Sequence, residues 1–443
     1  MSISLTRKLA RLAGSLLLSG LGAAQAAVTV LGWPGGPEEA ALRAAVKVYN
    51  ERSDVAANDK VALIFFSRDG FYDKLQADLA AGTKAFDANL IATYSIGRYA
   101  PFMKPVDLGV SATDLFGKSV LSTMQYQGKQ FGVPTDLSLH FMYFRSDLID
   151  GLLKDKAAHG EYAAIAQKYL GQSLTPKDPN EWTWDDYAAT ALYFTKAINP
   201  KSPTRYGTVL QLKNLLFNMM VFHSLPRAYG ADWMDPSGNI SVNSEAYKKG
   251  LQIYKTLLDA GTTPKDSLSY EYAEANAAFA SGEVATMMQW NAAAADLKDP
   301  KKSPKVASKT AFTAPPSGPQ GRFTHVHGLG LGINASGTNT EGAAKFLRWL
   351  ATPEAMTTYA LAGGAPGLSE SAVKAVADKR PDLVPLGTYA TRHGFMMNGA
   401  TSAKALGVYE LQAKEFTGYW SGKQSLEKTL EKTAAGMAKL LKP

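Results

Sequence analysis

The chain has 443 residues, 46% hydrophobic, 10% aromatic and 19% charged, and its 47 basic against 39 acidic side chains give a formal net charge of +8. That length predicts two domains or two large lobes with ample core, and it excludes disorder, collagen and coiled coil as whole-chain descriptions. There is no cysteine, so disulfide frameworks, thiolate nucleophiles, cysteine-ligated zinc and iron–sulfur clusters are excluded as well.

Residues 1–26 read as a cleaved export signal. Arg7, Lys8 and Arg11 form a positive leader, an apolar run follows from Ala13 to Ala24, and Ala24-Gln25-Ala26 supplies a small-x-small cleavage pattern. The apolar run is short of the ~20 residues that cross a bilayer. No lysine or arginine block of the kind a nucleic-acid binder carries is present. Without cysteine there is also no site for a lipid tether, so the expectation is a periplasmic protein with no membrane insertion and no nucleic-acid partner.

Val28 to Leu31 reads as a buried strand ended by Gly32-Trp33-Pro34-Gly35-Gly36. Pro37 then opens a helix whose apolar stripe runs through Ala41, Leu42, Ala45, Val46 and Tyr49. Val61 to Phe66 is a second strand, a helix with Leu75 and Leu79 stops at Gly82, and Leu90 to Ala92 is a third strand. Alternation at this spacing predicts βαβ units and a parallel sheet. Ligands of such sheets sit outside the C-terminal strand ends, which places Trp33, Tyr94 and the 67–69 segment at a rim.

From 140 to 300 the pattern is mainly helical. Thr183 and Asp186 form a capping signal, Ser244 opens a helix that ends at Gly261, and Glu283 to Trp290 reads as a strand. A breaker cluster at 314–319 precedes the glycine-interleaved strand His327 to Ile333, and Gly363-Gly364-Ala365-Pro366-Gly367 breaks the chain again before a helical last hundred residues.

Catalytic and cofactor signatures fail on inspection. Gly117-Lys118-Ser119 lacks the upstream glycine of a phosphate loop, since Ala112 stands there, and Gly328, Gly330 and Gly332 miss the dinucleotide spacing because Ile333 occupies the third site. Asp185 and Asp186 are adjacent in a first helical turn, where they cap rather than face each other. His325 and His327 point to one strand face, yet the six histidines lack carboxylates at ligand spacing, so no metal and no cofactor are expected. The aromatics say more. Seven tryptophans and twenty tyrosines offer flat faces for sugar C–H surfaces, and Trp33, Tyr94 and Trp290 follow strands.

The order of segments resembles the extracellular solute-binding proteins of ABC importers, in the class that includes maltose-binding protein. Phe71-Tyr72-Asp73-Lys74-Leu75 through Leu79-Ala80-Ala81-Gly82, the passage Gln127 to Asp136 with Gly132-Val133-Pro134, and Met142-Tyr143-Phe144-Arg145-Ser146-Asp147-Leu148 match its motifs. So do Trp182-Thr183-Trp184-Asp185-Asp186-Tyr187, Phe279 to Met287, and Gly342 to Leu350. Departures at Phe144-Arg145-Ser146 and Thr286 argue against copying a maltose pocket, whereas Asp136 after Val133-Pro134 is similar to a subgroup associated with sugars and sugar alcohols.

The resemblance implies a two-lobed α/β periplasmic-binding-protein fold of the Venus-flytrap type. Residues 27–135 and 328–365 would form one lobe, and 136–327 with 366–443 the other. Crossings are expected near Pro134–Leu137, Gly328–Gly332 and Gly363–Gly367. It implies a monomer that captures a carbohydrate or sugar alcohol, closes on it and delivers it to membrane permease subunits, with no catalysis. Asp136, Asn291, His327 and Arg392 are the polar ligand candidates. Trp233, His325 and the Met396–Met397 segment belong to either cleft or core. The alternatives are a binder of glycerophosphodiesters or polyamines on the same fold, and an exported glycoside hydrolase, which would need two carboxylates about 5–9.5 Å apart across a cleft.

Overall fold

The computed structural model describes residues 28–441 except Trp33, Gly35 and residues 68–70. The expected export signal, the Trp33 stacking candidate and most of the 67–69 rim segment therefore lie outside the described residues.

Two sheets organise the chain. The first has the order Val61–Phe65, Val28–Gly32, Ala88–Ala92, His327–Asn334, Met103–Lys104, with Gly132–Ser138 also pairing to His327–Asn334. The first three strands are parallel, as the βαβ spacing predicts. His327–Asn334 runs antiparallel to Ala88–Ala92, Met103–Lys104 and Gly132–Ser138. The sheet is therefore mixed, which corrects the parallel expectation. A strand that enters from a distant part of the chain needs no crossover helix and is free to run backward.

The second sheet has the order Thr310–Thr313, His140–Arg145, Val284–Trp290, Tyr206–Val209. Three of its strands fall in the 140–300 stretch whose pattern reads as mainly helical, and of these Val284–Trp290 is the strand expected at Glu283 to Trp290. Tyr206–Val209 is only four residues and is buried over its last three, so it carries no alternation to announce it.

Helix Gly36–Glu51 buries Ala41, Leu42, Ala45, Val46 and Tyr49, the stripe the sequence predicts. Tyr49 meets Phe346 at 5.0 Å and Trp349 at 5.1 Å on helix Thr340–Leu350, closing one face of the first sheet. Helix Phe71–Ala80 stops where Gly82 takes φ +67°, a left-handed turn that a side chain would strain. At Trp184–Tyr193 the Asp186 carboxylate accepts from Thr183 N at 2.9 Å and from Lys177 Nζ at 3.0 Å, so this acid caps a helix. Asp185 pairs with Lys249 at 3.3 Å.

The chain passes between the sheets at Leu139, between Gly132–Ser138 and His140–Arg145, and again at Val326. The two crossing strands are paired from His327↔Ser138 to Gly332↔Gly132. The register shifts between Leu329 and Gly330 because Leu329 faces Asp136 while Gly330 faces Pro134, leaving Thr135 as a bulge. The glycines here are needed for close approach. A Cβ on Gly330 would lie 2.4 Å from Val133 O, and one on Gly328 would lie 2.5 Å from Thr123 Oγ1. Gly330→Ala should therefore lower unfolding stability by about 1–3 kcal/mol, as overpacked sites do. An unchanged urea midpoint would refute the tight packing.

The Gly363–Gly367 breaker is pinned to the first crossing strand, with Leu137 N donating to Ala365 O at 2.8 Å. The segment after it straddles the junction instead of entering the second lobe at once. Helix Val384–His393 packs on Lys118–Ser122, while Tyr389 sets its ring edge on Phe141 of the second sheet at 5.5 Å. Only at Gly394–Phe395 does the chain pair with Thr324–His325. Helix Ala405–Trp420 then packs on Leu216–Phe222.

Candidate functional site

A cavity of about 380 Å³ opens between the two sheets. Tyr94 reaches it from the turn after Ala88–Ala92, and Glu38 from the first turn of helix Gly36–Glu51. The second lobe contributes Gln211, Phe217, Asn218, Glu271, Tyr272 and Trp290, and the crossing strands contribute Ser138, His327, Gly328 and Leu329. Both sheets thus present their strand ends to one space, the location expected for a ligand in an α/β fold.

Its walls are aromatic. Tyr94 lies 6.4 Å from Phe217 across the cleft and 6.0 Å from His327, and its hydroxyl meets that of Tyr72 at 2.7 Å. Trp290 stands 5.6 Å from His327 and sets its edge against His140 at 4.4 Å. Tyr143 holds the backbone beneath it by donating to the carbonyls of Trp290 and Asn291 at 3.0 and 3.1 Å.

The structure brings Tyr94, Trp290 and His327 together at the cavity. The other candidates sit elsewhere. Asp136 lies buried on the crossing strand, accepting from Tyr359 Oη at 2.5 Å and from Ala365 N at 2.8 Å. Burial, reinforced by the charge of Glu38, pushes its carboxyl up to about 6. It ties the junction segments together. Asn291 is a clasp, since its Oδ1 accepts from Leu139 N at 2.9 Å and its own N donates to Leu139 O at 2.9 Å. Arg392 is exposed and pairs with Glu370 at 3.3 Å, outside the cavity lining. Trp233 is core: fully buried, it donates to Gln412 Oε1 at 3.1 Å and packs on Tyr409 at 4.6 Å.

Sequence reasoning missed Glu38, Ser138, Gln211, Phe217, Asn218, Glu271 and Tyr272. Gln211 follows strand Tyr206–Val209 as Tyr94 follows Ala88–Ala92, but that strand carries no sequence pattern to announce it, so its strand-end position was not legible. Its amide donates to Met288 O at 3.0 Å and to Gln289 Oε1 at 3.1 Å, which leaves its own Oε1 without a hydrogen-bond partner in a residue only 5% exposed.

Behind Trp290 and His327 lies a buried set of four histidines. His325 Nδ1 contacts His327 Nε2 with ring centroids 4.0 Å apart, His140 is 6.0 Å from His327, and His223 is 5.7 Å from His325. Tyr409 Oη and His325 Nε2 are 3.1 Å apart, and His223 Nε2 donates to Gln412 Oε1 at 2.9 Å. Burial depresses all four, to about 3 for His140 and His223 and well below the usual range for the other two. Neutral rings and aromatic contacts make this polar core. Among the described residues no group of three or more histidine, aspartate or glutamate side chains is placed to hold a metal ion.

Two α/β lobes around a lined cleft define the periplasmic-binding fold. Residues 44–383 match the bacterial extracellular solute-binding protein family, and the chain belongs to it. It is 24% identical over 283 residues to a mannitol-binding protein of Pseudomonas aeruginosa, covering 62% of this chain and 58% of that one. It is 28% identical over 150 residues to a "Probable amino-acid ABC transporter periplasmic-binding protein" of Sinorhizobium fredii, covering 33% and 32%. The chain thus spans between about a third and three fifths of the length of these two relatives. A maltose-bound protein of T. maritima shares the fold at a TM-score of 0.70 and 19% identity, over 94% of this chain and 99% of that one. A ribitol-bound solute-binding protein of Agrobacterium radiobacter K84 does so at 0.70 and 17% identity, over 94% and 99%. No helix among the described residues is long and apolar enough to cross a membrane.

Proposed function

We propose that this chain is the solute-binding subunit of an ABC importer, exported to the periplasm, and that it captures a small polyhydroxy solute, a sugar or sugar alcohol, between its lobes. The observation that carries the reading is the cavity itself: aromatic faces from both lobes and neutral or acidic hydrogen-bonding groups, with no lysine or arginine among its described lining residues. Aromatic walls cover the C–H faces of such a solute, while Gln211, Asn218, Ser138 and the carboxylates answer hydroxyls that burial would otherwise leave unpaired. The mannitol-binding relative supports the same class. An amino acid or a phosphodiester would instead call for a cation at the cleft to meet its anionic group.

Closing the lobes places both sets of contacts on one solute, and the ligand drives closure by as much as it binds the closed form better. The closed form then docks on membrane permease subunits and releases the solute unchanged. The lobes of this proposal are 27–135 with 328–365 and 136–327 with 366–443, residues 366–393 of the latter straddling the junction, and the crossing strands are the hinge.

Thermal unfolding of residues 27–443 against sugars, sugar alcohols, amino acids and phosphodiesters tests the reading. A solute at a hundred times its Kd adds about 2.7 kcal/mol and raises the midpoint. A shift with a sugar or polyol recovered intact supports capture. Shifts confined to amino acids or phosphodiesters, or conversion of a panel member to product, would overturn it.

A further inference from the structure

A chain of hydrogen bonds runs from the core of the second lobe to the cavity wall. His327 lines the cavity and is 3% exposed, with Tyr94 and Trp290, which line it too, at 6.0 and 5.6 Å. Its Nε2 contacts His325 Nδ1, and His325 Nε2 lies 3.1 Å from Tyr409 Oη. Helix Ala405–Trp420, the short strand Thr324–His325 and the crossing strand His327–Asn334 each supply one member. The remaining ring nitrogen, His327 Nδ1, has no hydrogen-bond partner among the described residues. Both nitrogens of His140 and Nδ1 of His223 are sealed from solvent without a partner, but His327 Nδ1 is not so sealed. With Nε2 turned to His325, Nδ1 is the ring's open polar atom at the cavity.

The direction of the chain follows from Tyr409. The residue is fully buried, burial holds its hydroxyl protonated, and among the described residues that hydroxyl has a single partner, His325 Nε2. A buried O–H left without an acceptor is costly, so Tyr409 donates and His325 Nε2 accepts. Burial keeps both rings neutral, and a neutral imidazole has one N–H and one bare nitrogen. His325 therefore carries its proton on Nδ1 and donates to His327 Nε2, which leaves the proton of His327 on Nδ1. The reverse chain, starting from an N–H at His327 Nε2, would strand the Tyr409 hydroxyl hydrogen.

We propose that Tyr409, acting through His325, fixes the tautomer of His327 so that its Nδ1–H is a donor to the cavity, and that the solute meets it with an acceptor oxygen. Tyr409 and His325 are positioning residues, and His327 determines specificity. The solute oxygen rests on the polyhydroxy reading above; the relay stands on the chain's own groups.

Histidine 15N NMR of residues 27–443 at neutral pH tests the relay without a solute. In the wild type the His327 signals, identified by their loss in His327→Gln, show a protonated Nδ1 and a bare Nε2, and those of His325 show the same. Tyr409→Phe removes the donor that sets the direction, so both rings become mixtures of tautomers. With about half of the molecules in the wrong one, Kd rises about twofold. Calorimetric titration with mannitol, ribitol, maltose and glucose reads that loss on whichever binds most tightly. His327→Leu weakens binding about tenfold, and in that background Tyr409→Phe weakens it no further. A proton on Nε2 of His327 in the wild type overturns the relay, as do single tautomers retained in Tyr409→Phe. A Tyr409→Phe loss that persists in His327→Leu overturns it as well, because the hydroxyl then acts by another route. A panel in which nothing binds overturns the polyhydroxy reading and the solute oxygen, and the wild-type spectrum still decides the relay.

Discussion

Lowering the pH from about 6.5 to 5 should strip several kcal/mol from the unfolding free energy of this protein. The cause is the four-histidine core. His140 and His223 are held near 3, and His325 and His327 well below their usual value, by burial first; neighbouring histidines add to this at His140, His325 and His327, Arg227 adds at His325, and the Gln412 hydrogen bond opposes it at His223. In the unfolded chain each returns to about 6.5. Between those values the unfolded state binds more protons than the native state, so stability rises with pH across the window and is lost as pH falls through it. Each ring kept neutral contributes a slope of about 1.4 kcal/mol per pH unit. Asp136 acts in the opposite sense. Its carboxyl, raised to about 6 from 3.8, favours folding below 3.8 and loses that contribution as pH climbs through 6. Four groups outweigh one. Urea unfolding at pH 7, 6 and 5 measures the slope, and His223→Gln should reduce it by the share of one ring. A stability flat across that range would mean the core histidines titrate normally.

The second large effect concerns ligand capture. Trp290→Ala should weaken solute binding by a hundredfold or more, about 3 kcal/mol, while lowering unfolding stability much less. Trp290 is only partly buried, at the end of a strand whose backbone Tyr143 holds independently. Truncation therefore leaves the strand in place and removes the flat face that covers the solute. Buried aromatic anchors characteristically dominate binding in this way. Titration of the variant with the best solute of the panel is the check, and a loss under threefold would mean that another wall does the covering.

The parts of this molecule legible in its sequence are those set by local rules. Val28–Gly32, Gly36–Glu51 and Ala88–Ala92 follow from apolar periodicity, and the Thr183–Asp186 cap from residue types three apart. Tyr94 and Trp290 were legible as cavity residues because strand ends point to clefts. Glu38, Phe217 and Glu271 come from three separate parts of the chain and meet only through tertiary packing, so no window of sequence contains the site. Trp233 and Arg392 show the converse difficulty. A tryptophan suits core and cleft equally, and an arginine in the last turn of Val384–His393 is explained by the helix end and by Glu370 alone.

Strand His327–Asn334 lies between Ala88–Ala92 and Gly132–Ser138, the interior position of a sheet whose other members are all made far earlier in the chain. Until residue 334 leaves the ribosome the first sheet has open edges and cannot close. At about 5–20 residues per second, Ala88–Ala92 waits roughly 10–50 s for its neighbour. Such long-range pairing also slows folding once synthesis is finished. Under the proposed export, in which the chain is threaded unfolded through a membrane pore, this order of strands gains time by delaying the closure of the first sheet.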